Sequence, residues 1–456
     1  MRKLGFFSLG CAKNLVDSEN MLAALARRGW AICEDIRDAD LVLINSCGFI
    51  EEARDEAREV IKEAMSLKAG GTVRRIVVAG CLAQRFSAQF SGEFPEVDGW
   101  IGLRAPEEVA EFCDRVLDGE RAVVSGGGGA LAAETGRLRL TARHIAYLRI
   151  ADGCDNRCHY CTVPLIRGRY RSKPMEDVIA EARELVADGA IELNIIAQDT
   201  TNYGVDLYGK RCLPELLRRL LDIEGFDWLR LLYTHPAHWT DELVEILASD
   251  KRICRYVDLP VQHINDRVLE AMGRKVARQD IENLIQKLRS RIPHLALRTA
   301  IIVGFPGETE AEFSELLTFV KRTRFERLGA FKYSREAGTP AAELPNQVPE
   351  DVKEERFNRL LETQRKIARQ WNRTHLGKRL AVMVDRPGAE ANGVWECRTE
   401  WDAPEVDGRV LVRSSGELES GKIVRAYVVG VRDYDLLGET RPRRKGTGTF
   451  ERSVTP

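Results

Sequence analysis

Residues 144–164 read HIAYLRIADGCDNRCHYCTVP. The first seven form a largely apolar, strand-like run, and the remainder carries Cys154, Cys158 and Cys161 at the spacing C-x3-C-x2-C. Three thiolates this close can hold three irons of a [4Fe–4S] cube, which takes four cysteines when closed. The fourth iron is then open, and an open position separates a catalytic metal site from a structural one. A zinc knuckle is the competing reading. Zinc motifs pair two C-x2-C units or combine Cys with His, and His159 is squeezed between two of the cysteines. Such a loop at the end of a strand suits a parallel α/β architecture, whose sites lie at the carboxyl ends of the strands.

Outward from this stretch the pattern repeats. HIAYLRI (144–150), IELNIIAQ (191–198), WLRLLYT (228–234), YVDLPV (256–261), LRTAIIVG (297–304) and LGAFKYS (328–334) read as six strands with helical segments between them. The series predicts an open or partial α/β barrel. The cysteine loop follows its first strand. Gln198 and Asp199 end the second, Gln262 and His263 follow the fourth, and GFPGE (304–308) follows the fifth, all at the barrel mouth. Gly304 lets the backbone come close to a ligand, although the same pattern suits an ordinary strand-to-helix turn.

Upstream, LGFFSL (4–9), ADLVLIN (39–45) and RRIVVAG (74–80) alternate with helical stretches such as NLVDSENMLAALARRG (14–29) and EEARDEAREVIKEAMSLK (51–68). This predicts a parallel sheet of βαβ units. Cys11, Cys47 and Cys81 closely follow the three strands, separated by 47 − 11 = 36 and 81 − 47 = 34 residues. Parallel strands end on one edge, so three such cysteines converge. Free Cys is also a common core residue, but Gly and small polar neighbours mark these positions as turns. A second [4Fe–4S] cluster with an open iron is the functional reading, and an open iron can bind a sulfur-bearing ligand. Cys33, Cys113, Cys212, Cys254 and Cys397 have no partners at ligand spacing and read as structural.

Five segments follow: an N-terminal domain over 1–120, a linker over 121–140, the barrel domain over 141–375, a small domain over 376–442 and a basic, disordered tail over 443–456. The linker is Gly- and Ala-rich (SGGGGALAAETGR, 125–137), and its Gly run lacks the Lys-Ser/Thr of a phosphate loop. Residues 349–375 read as one helix whose recurring Phe357, Leu361, Gln364, Ala368 and Trp371 make it a packing strut. Short strands over 378–440 predict a small antiparallel barrel.

The 456 residues carry a formal net charge of −1, so no global basic field draws in nucleic acid. No secretory signal core and no run of 18 apolar residues occurs, so no membrane span is expected. The 11 cysteines, an odd number, then fit a cytoplasmic protein that uses reduced thiols for metal rather than disulfides.

With Tyr160 before the last cysteine, C-x3-C-x-aromatic-C resembles the signature of the radical S-adenosylmethionine (SAM) superfamily. There the open iron takes the amino and carboxylate groups of SAM, and an electron cleaves the sulfonium to a 5′-deoxyadenosyl radical. Apart from its basic tail, the chain is similar to the methylthiotransferase family, with a three-cysteine domain, a radical SAM domain and a C-terminal TRAM domain. The resemblance implies an auxiliary cluster on Cys11, Cys47 and Cys81 and a radical cluster on Cys154, Cys158 and Cys161. Tyr160 in the cysteine motif, and Gln198, Gly304, Phe305 and Pro306 at the barrel mouth, are the candidate SAM contacts by position; the resemblance further implies an electron donor of flavodoxin or ferredoxin type and conversion of C–H to C–SCH3. Radical hydrogen abstraction does not require a protein base, so His263 has no necessary role.

Two branches of the family compete. One modifies a tRNA adenosine beside the anticodon; the other modifies the β-carbon of an aspartate in ribosomal protein S-twelve, free or in the small subunit. SLGCAKNLVDSE (8–19) resembles the ribosomal branch, whereas the tRNA branch typically shows a GCQMN-like stretch there. INSCGFIEEARDEA, AQDTTNYGVDLYG, ELPNQVPEDVKEERFNRL and DAPEVDGRV also resemble the ribosomal branch. Over 378–440 there are 9 Lys+Arg and 12 Asp+Glu, giving 9 − 12 = −3. An acidic barrel suits a basic protein better than phosphates, unless the charge merely solvates its surface. A redox carrier with two clusters is a third reading, disfavoured because carriers usually give each cluster four cysteines.

Overall fold

The computed structural model describes residues 2–126, 131, 133–389 and 393–441. The tail over 443–456 and most of the glycine run lie outside the described residues.

The N-terminal unit is a six-stranded, all-parallel sheet in the order β2-β1-β3-β4-β5-β6. The strands are β1 (Arg2–Ser8), β2 (Trp30–Ile32), β3 (Leu41–Ser46), β4 (Arg75–Gly80), β5 (Gly99–Ile101) and β6 (Ala122–Val124). Four helices connect them: α1 (Ala12–Arg27), α2 (Glu51–Ala69), α3 (Cys81–Glu93) and α4 (Pro106–Leu117). Every residue of β3 is buried, since both faces of a parallel sheet are covered by helices. Leu22, Leu25, Val109 and Phe112 from α1 and α4 pack one face. Ile61, Ala64, Leu82 and Phe90 from α2 and α3 pack the other. The chain runs from β1 to β2 on one side and returns to β3 on the other. That reversal opens a crevice at the carboxyl ends of β1 and β3, where open α/β sheets bind ligands.

The central unit has two three-stranded parallel sheets. One contains β7 (Ile145–Arg149), β10 (Glu192–Ile196) and β11 (Trp228–Leu231); the other contains β12 (Tyr256–Asp258), β13 (Ala296–Val303) and β14 (Arg327–Lys332). A single parallel bridge, Leu229 to Ile253, spans the seam. The result is the expected partial barrel of six sequential strands, closed over one core that includes Leu148, Ile195, Leu259, Ile301 and Val320. A two-residue hairpin, β8 (Ala151–Asp152) with β9 (Arg171–Ser172), brackets the cysteine loop.

The segment read as a linker is more ordered than its composition suggests. It supplies β6, and beyond the glycine run it is pinned to both the barrel and α1. Glu134 accepts from Lys173 Nζ at 2.9 Å and pairs with Arg149, and Leu140 N donates to Glu19 Oε1 at 2.9 Å. The long helix Glu350–Arg373 also departs from the reading as an apolar strut. Its buried line is Lys353, Arg356, Leu360, Gln364, Ile367, Ala368 and Asn372, while Phe357 and Leu361 are only partly buried. The polar members reach distant carbonyls and acids: Lys353 Nζ donates to Tyr333 O at 3.0 Å, Arg356 Nη1 to Glu308 Oε1 at 2.8 Å and Gln364 Nε2 to Phe325 O at 2.9 Å.

The C-terminal unit is a closed five-stranded barrel in the order β15-β16-β17-β19-β18. Its strands are β15 (Arg379–Pro387), β16 (Val394–Arg398), β17 (Val410–Arg413), β18 (Ile423–Arg432) and β19 (Asp435–Glu439). Closure uses one parallel pairing, β17 with β19; the others are antiparallel. The barrel sits beneath the amino ends of the central strands. Arg398 pairs with Glu192 at 2.7 Å, Tyr256 OH donates to Asp407 at 2.8 Å, and Arg327 pairs with Asp402. These pairings correct the charge argument for a basic partner. Asp385, Asp402 and Asp407 are spent on His144 and Arg398, on Arg327, and on Arg298 and Tyr256. The net −3 is therefore not an outward-facing acidic surface.

Candidate active site

Backbone geometry sets each cysteine triplet. Cys11 precedes α1, Cys47 follows β3 directly and Cys81 opens α3, so all three stand at the carboxyl ends of adjacent strands. Gly10 has φ +89°, and a Cβ there would lie 2.8 Å from Cys47 Cβ, so the Cys11 loop presses directly on Cys47. Asn14 and Asn45 stitch the loops together: Asn14 Nδ2 donates to Leu9 O at 2.6 Å and Asn45 Nδ2 to Asn14 O at 2.9 Å. In the second triplet Gly153 has φ +77°, and a Cβ there would lie 2.1 Å from Arg169 O. Cys154 N then bonds Gly168 O at 3.2 Å and Cys161 N bonds Cys158 O at 3.0 Å, folding the loop on itself.

The two triplets face one another across a single interface. Thr162, next to Cys161, donates through Oγ1 to the carbonyl of Phe49, two residues past Cys47, at 3.0 Å. Arg167 bonds Asp17 of α1 at 2.7 Å and Asp152 of β8 at 3.2 Å, and its Nη2 lies 3.5 Å from Cys81 Sγ. Lys13 crosses the same gap and sets its Nζ 3.3 Å from the centre of the Tyr233 ring, just past β11.

The thiols suit metal. Burial, with a smaller contribution from neighbouring triplet members, pushes Cys81, Cys154 and Cys161 up to about 12: Cys47 and Cys11 act on Cys81, Cys158 on Cys154, and Cys158 and Cys154 on Cys161. Such thiols give up their protons to a bound cationic metal centre. Cys11 differs. Burial raises it, but the Lys13 and Arg167 cations outweigh this and leave it below the ordinary thiol value. Cys11 is also the exposed member of its triplet, where Cys47 is partly buried and Cys81 buried.

A cube fits these triplets better than a single ion. Tetrahedral zinc, with Zn–S bonds of about 2.3 Å, draws its sulfurs to within about 4 Å of one another. Among the described residues, only Asp199, His235 and His238 place three ligand atoms within 4.8 Å of one another; neither triplet does. The thiols are thus close enough to feel each other's charge and too far apart for one ion. His159 Nδ1 is 2.9 Å from Ala271 O, and its backbone is held by Met272 O and by Ala341 N. No helix among the described residues is long and apolar enough to cross a membrane.

The remaining site expectations divide. Gln198 reaches the mouth, donating to Asp152 Oδ1 at 2.9 Å and leaving Oε1 buried without a hydrogen-bond partner. Tyr160 packs against the cluster of Val268, Met272, Phe305, Tyr333 and Ala341. Gly304, Phe305 and Pro306 are buried, and a Cβ on Gly304 would lie 2.3 Å from Lys353 Cγ, so helix packing already demands that glycine. His263 is fully buried; its Nδ1 accepts from Asn265 N, and burial holds it down to about 3. Sequence reading missed Lys13, Asp17, Asp152, Arg167 and Arg274. Arg274 lies 3.8 Å from Cys158 Sγ and donates to Pro260 O at 2.6 Å. Their partners are far away in the chain, so only Lys13 and Asp17, inside the quoted KNLVDSE stretch, carried any signal.

Three family models match the chain: Radical SAM superfamily over residues 148–320, Uncharacterized protein family UPF0004 over 3–102 and TRAM domain over 376–440. The "Ribosomal protein uS12 methylthiotransferase RimO" of Pelotomaculum thermopropionicum is 46% identical over 439 residues, 96% of this chain and 99% of that one. The protein of the same name from Lachnoclostridium phytofermentans is 44% identical over 437 residues, 96% of this chain and 99% of that one. This chain belongs to the uS12 methylthiotransferase family. Among solved structures, the radical SAM methyltransferase TsrM from Kitasatospora setae superposes with a TM-score of 0.55 at 16% identity, covering 72% of each chain. The cobalamin-dependent radical enzyme OxsB gives 0.53 at 13%, covering 80% of this chain and 56% of that one. These two likenesses bear on the fold. In uS12 methylthiotransferase terms, the UPF0004 match covers the domain carrying Cys11, Cys47 and Cys81, and the radical SAM match covers the loop of Cys154, Cys158 and Cys161.

Proposed function

We propose that this chain replaces a C–H hydrogen on the β-carbon of an aspartate in ribosomal protein uS12 with a methylthio group. The observation that carries the reading is the pair of three-cysteine sites facing one another across one interface, joined by the Thr162–Phe49 hydrogen bond. One substrate carbon can then be reached from both sides. Cys154, Cys158 and Cys161 would hold one [4Fe–4S] cluster, and Cys11, Cys47 and Cys81 the other. When bound, the clusters and SAM supply hydrogen abstraction at one side and a methylated sulfur at the other.

The protein's own groups organise this. Gln198 offers its unpartnered Oε1 to a donor such as the SAM amino group. Arg274 and Arg167 place positive charge beside Cys158 and Cys81. Tyr160 braces the radical loop against the cluster that holds Phe305 and Met272. Electrons come from a flavodoxin- or ferredoxin-type donor in the cytoplasm. Mass analysis of uS12 and tRNA from a strain lacking the gene tests the substrate. The uS12 aspartate should lose its methylthio group and tRNA should not change. Intact uS12 modification with loss of a tRNA methylthio group would assign the chain to tRNA instead.

A further inference from the structure

We infer that Lys13 is the specificity-determining residue that receives the carboxylate of the aspartate substrate, which rests on the uS12 reading. Methylthiolation at an aspartate β-carbon places a carboxylate one bond from the reacting carbon. That anion must be desolvated with the carbon between the two cysteine sites, where an unpaired charge is costly. The site therefore requires a cation at this place.

Lys13 stands there. It is two residues from Cys11 and only 7% exposed, and its ammonium reaches across the interface to the Tyr233 ring at 3.3 Å. Tyr233 has φ +57° and lies just past the end of β11, two residues before His235 at the barrel mouth. Of the other cations beside the cysteines, Arg167 is bonded to Asp17 and Asp152, and Arg274 stands in the other triplet beside Cys158, where it donates to Pro260 O. Lys13 makes no ion pair with a carboxylate among the described residues; its neighbour is the Tyr233 side chain. A buried ammonium held on a ring face, with donors to spare, is ready to take an incoming anion. A neutral adenine needs no cation, whereas a carboxylate does.

The test is a double-mutant cycle on the reconstituted full-length enzyme. Wild type, Lys13→Met and Lys13→Arg are each measured for binding and methylthiolation of a uS12 peptide carrying its natural aspartate or asparagine at the same place. Removing a charge-assisted hydrogen bond from a buried site lowers affinity by about 10- to 100-fold. Lys13→Met should lose that factor on the aspartate peptide and change little on the asparagine peptide. Lys13→Arg should keep the preference for aspartate. Equal losses on both peptides, or loss of the preference in Lys13→Arg as complete as in Lys13→Met, would overturn the assignment. If the wild type modifies neither peptide nor intact uS12, the substrate reading itself fails and takes this inference with it. If the wild type modifies the aspartate peptide and the penalties add, only the role of Lys13 is wrong.

Discussion

Glu336 clamps the two cysteine-bearing domains together, and replacing it by Gln should uncouple them. It follows β14 in the central unit and is 1% exposed. Its carboxylate accepts from Arg54 of α2 at 2.7 and 3.2 Å, from Arg85 of α3 at 2.9 Å, and from Ser334 at 2.8 Å. Burial raises its pKa, but the bonds from Arg54, Ser334 and Arg85 outweigh this and hold it below the ordinary Glu value. Gln keeps the volume, removes the charge and turns an amide NH2 toward a guanidinium. Removing one partner from a buried ion pair costs about 3–5 kcal/mol. Arg54 keeps Glu51, and Arg85 keeps Ala337 O at 2.7 Å, so the lower end of about 3 kcal/mol applies here. That raises the population with separated domains by about 100-fold. Hydrogen exchange should show faster opening of α2 and α3. The ratio of methylthiolated product to 5′-deoxyadenosine should fall, because SAM cleavage needs one site and transfer needs both. Glu336→Gln with wild-type exchange and wild-type coupling would refute the clamp. The pH dependence has a definite sign: with a lowered native value, the clamp is at full strength above the ordinary Glu value and weakens as pH falls through the native one.

Two further predictions concern the sites themselves. Anaerobic reconstitution should load about eight irons, and Ala at Cys154, Cys158 and Cys161 together should leave about four, read by iron and sulfide analysis. Glu308 is raised to about 7 by burial, against donation from Gly304 N and Arg356, so the native state binds its proton more tightly than the unfolded chain. Its contribution is therefore full below about pH 4.5 and is lost as pH rises through about 7; Glu308→Gln should flatten that part of a denaturation-versus-pH series.

Much of the architecture is legible from local pattern. Strands that run into Cys11, Cys47, Cys81 and Cys154 announce parallel sheets with chemistry at one edge, because period and turn residues are local properties. What sequence hides is pairing at a distance. Asp402 and Asp407 count as surface acid in a composition tally, yet they hold Arg327 and Arg298 inside the structure. Lys353 and Arg356 look like the wet side of a helix and are buried, because Tyr333 O and Glu308 wait for them. Gly304 reads as a turn where the backbone can approach a ligand, and the sequence does not show that its missing Cβ also makes room for Lys353. Lys13 reads as one more charge near a cysteine, and only the position of Tyr233 shows where it points.

The decisive experiment is to incubate the reconstituted protein with uS12, SAM and a reductant, and to sequence the product by mass spectrometry. Two facing three-cysteine sites predict a single aspartate in which one hydrogen has been replaced by SCH3, formed only when Cys11, Cys47, Cys81, Cys154, Cys158 and Cys161 are all intact. A methyl group without sulfur, or the same product from a Cys47→Ala variant, would contradict it.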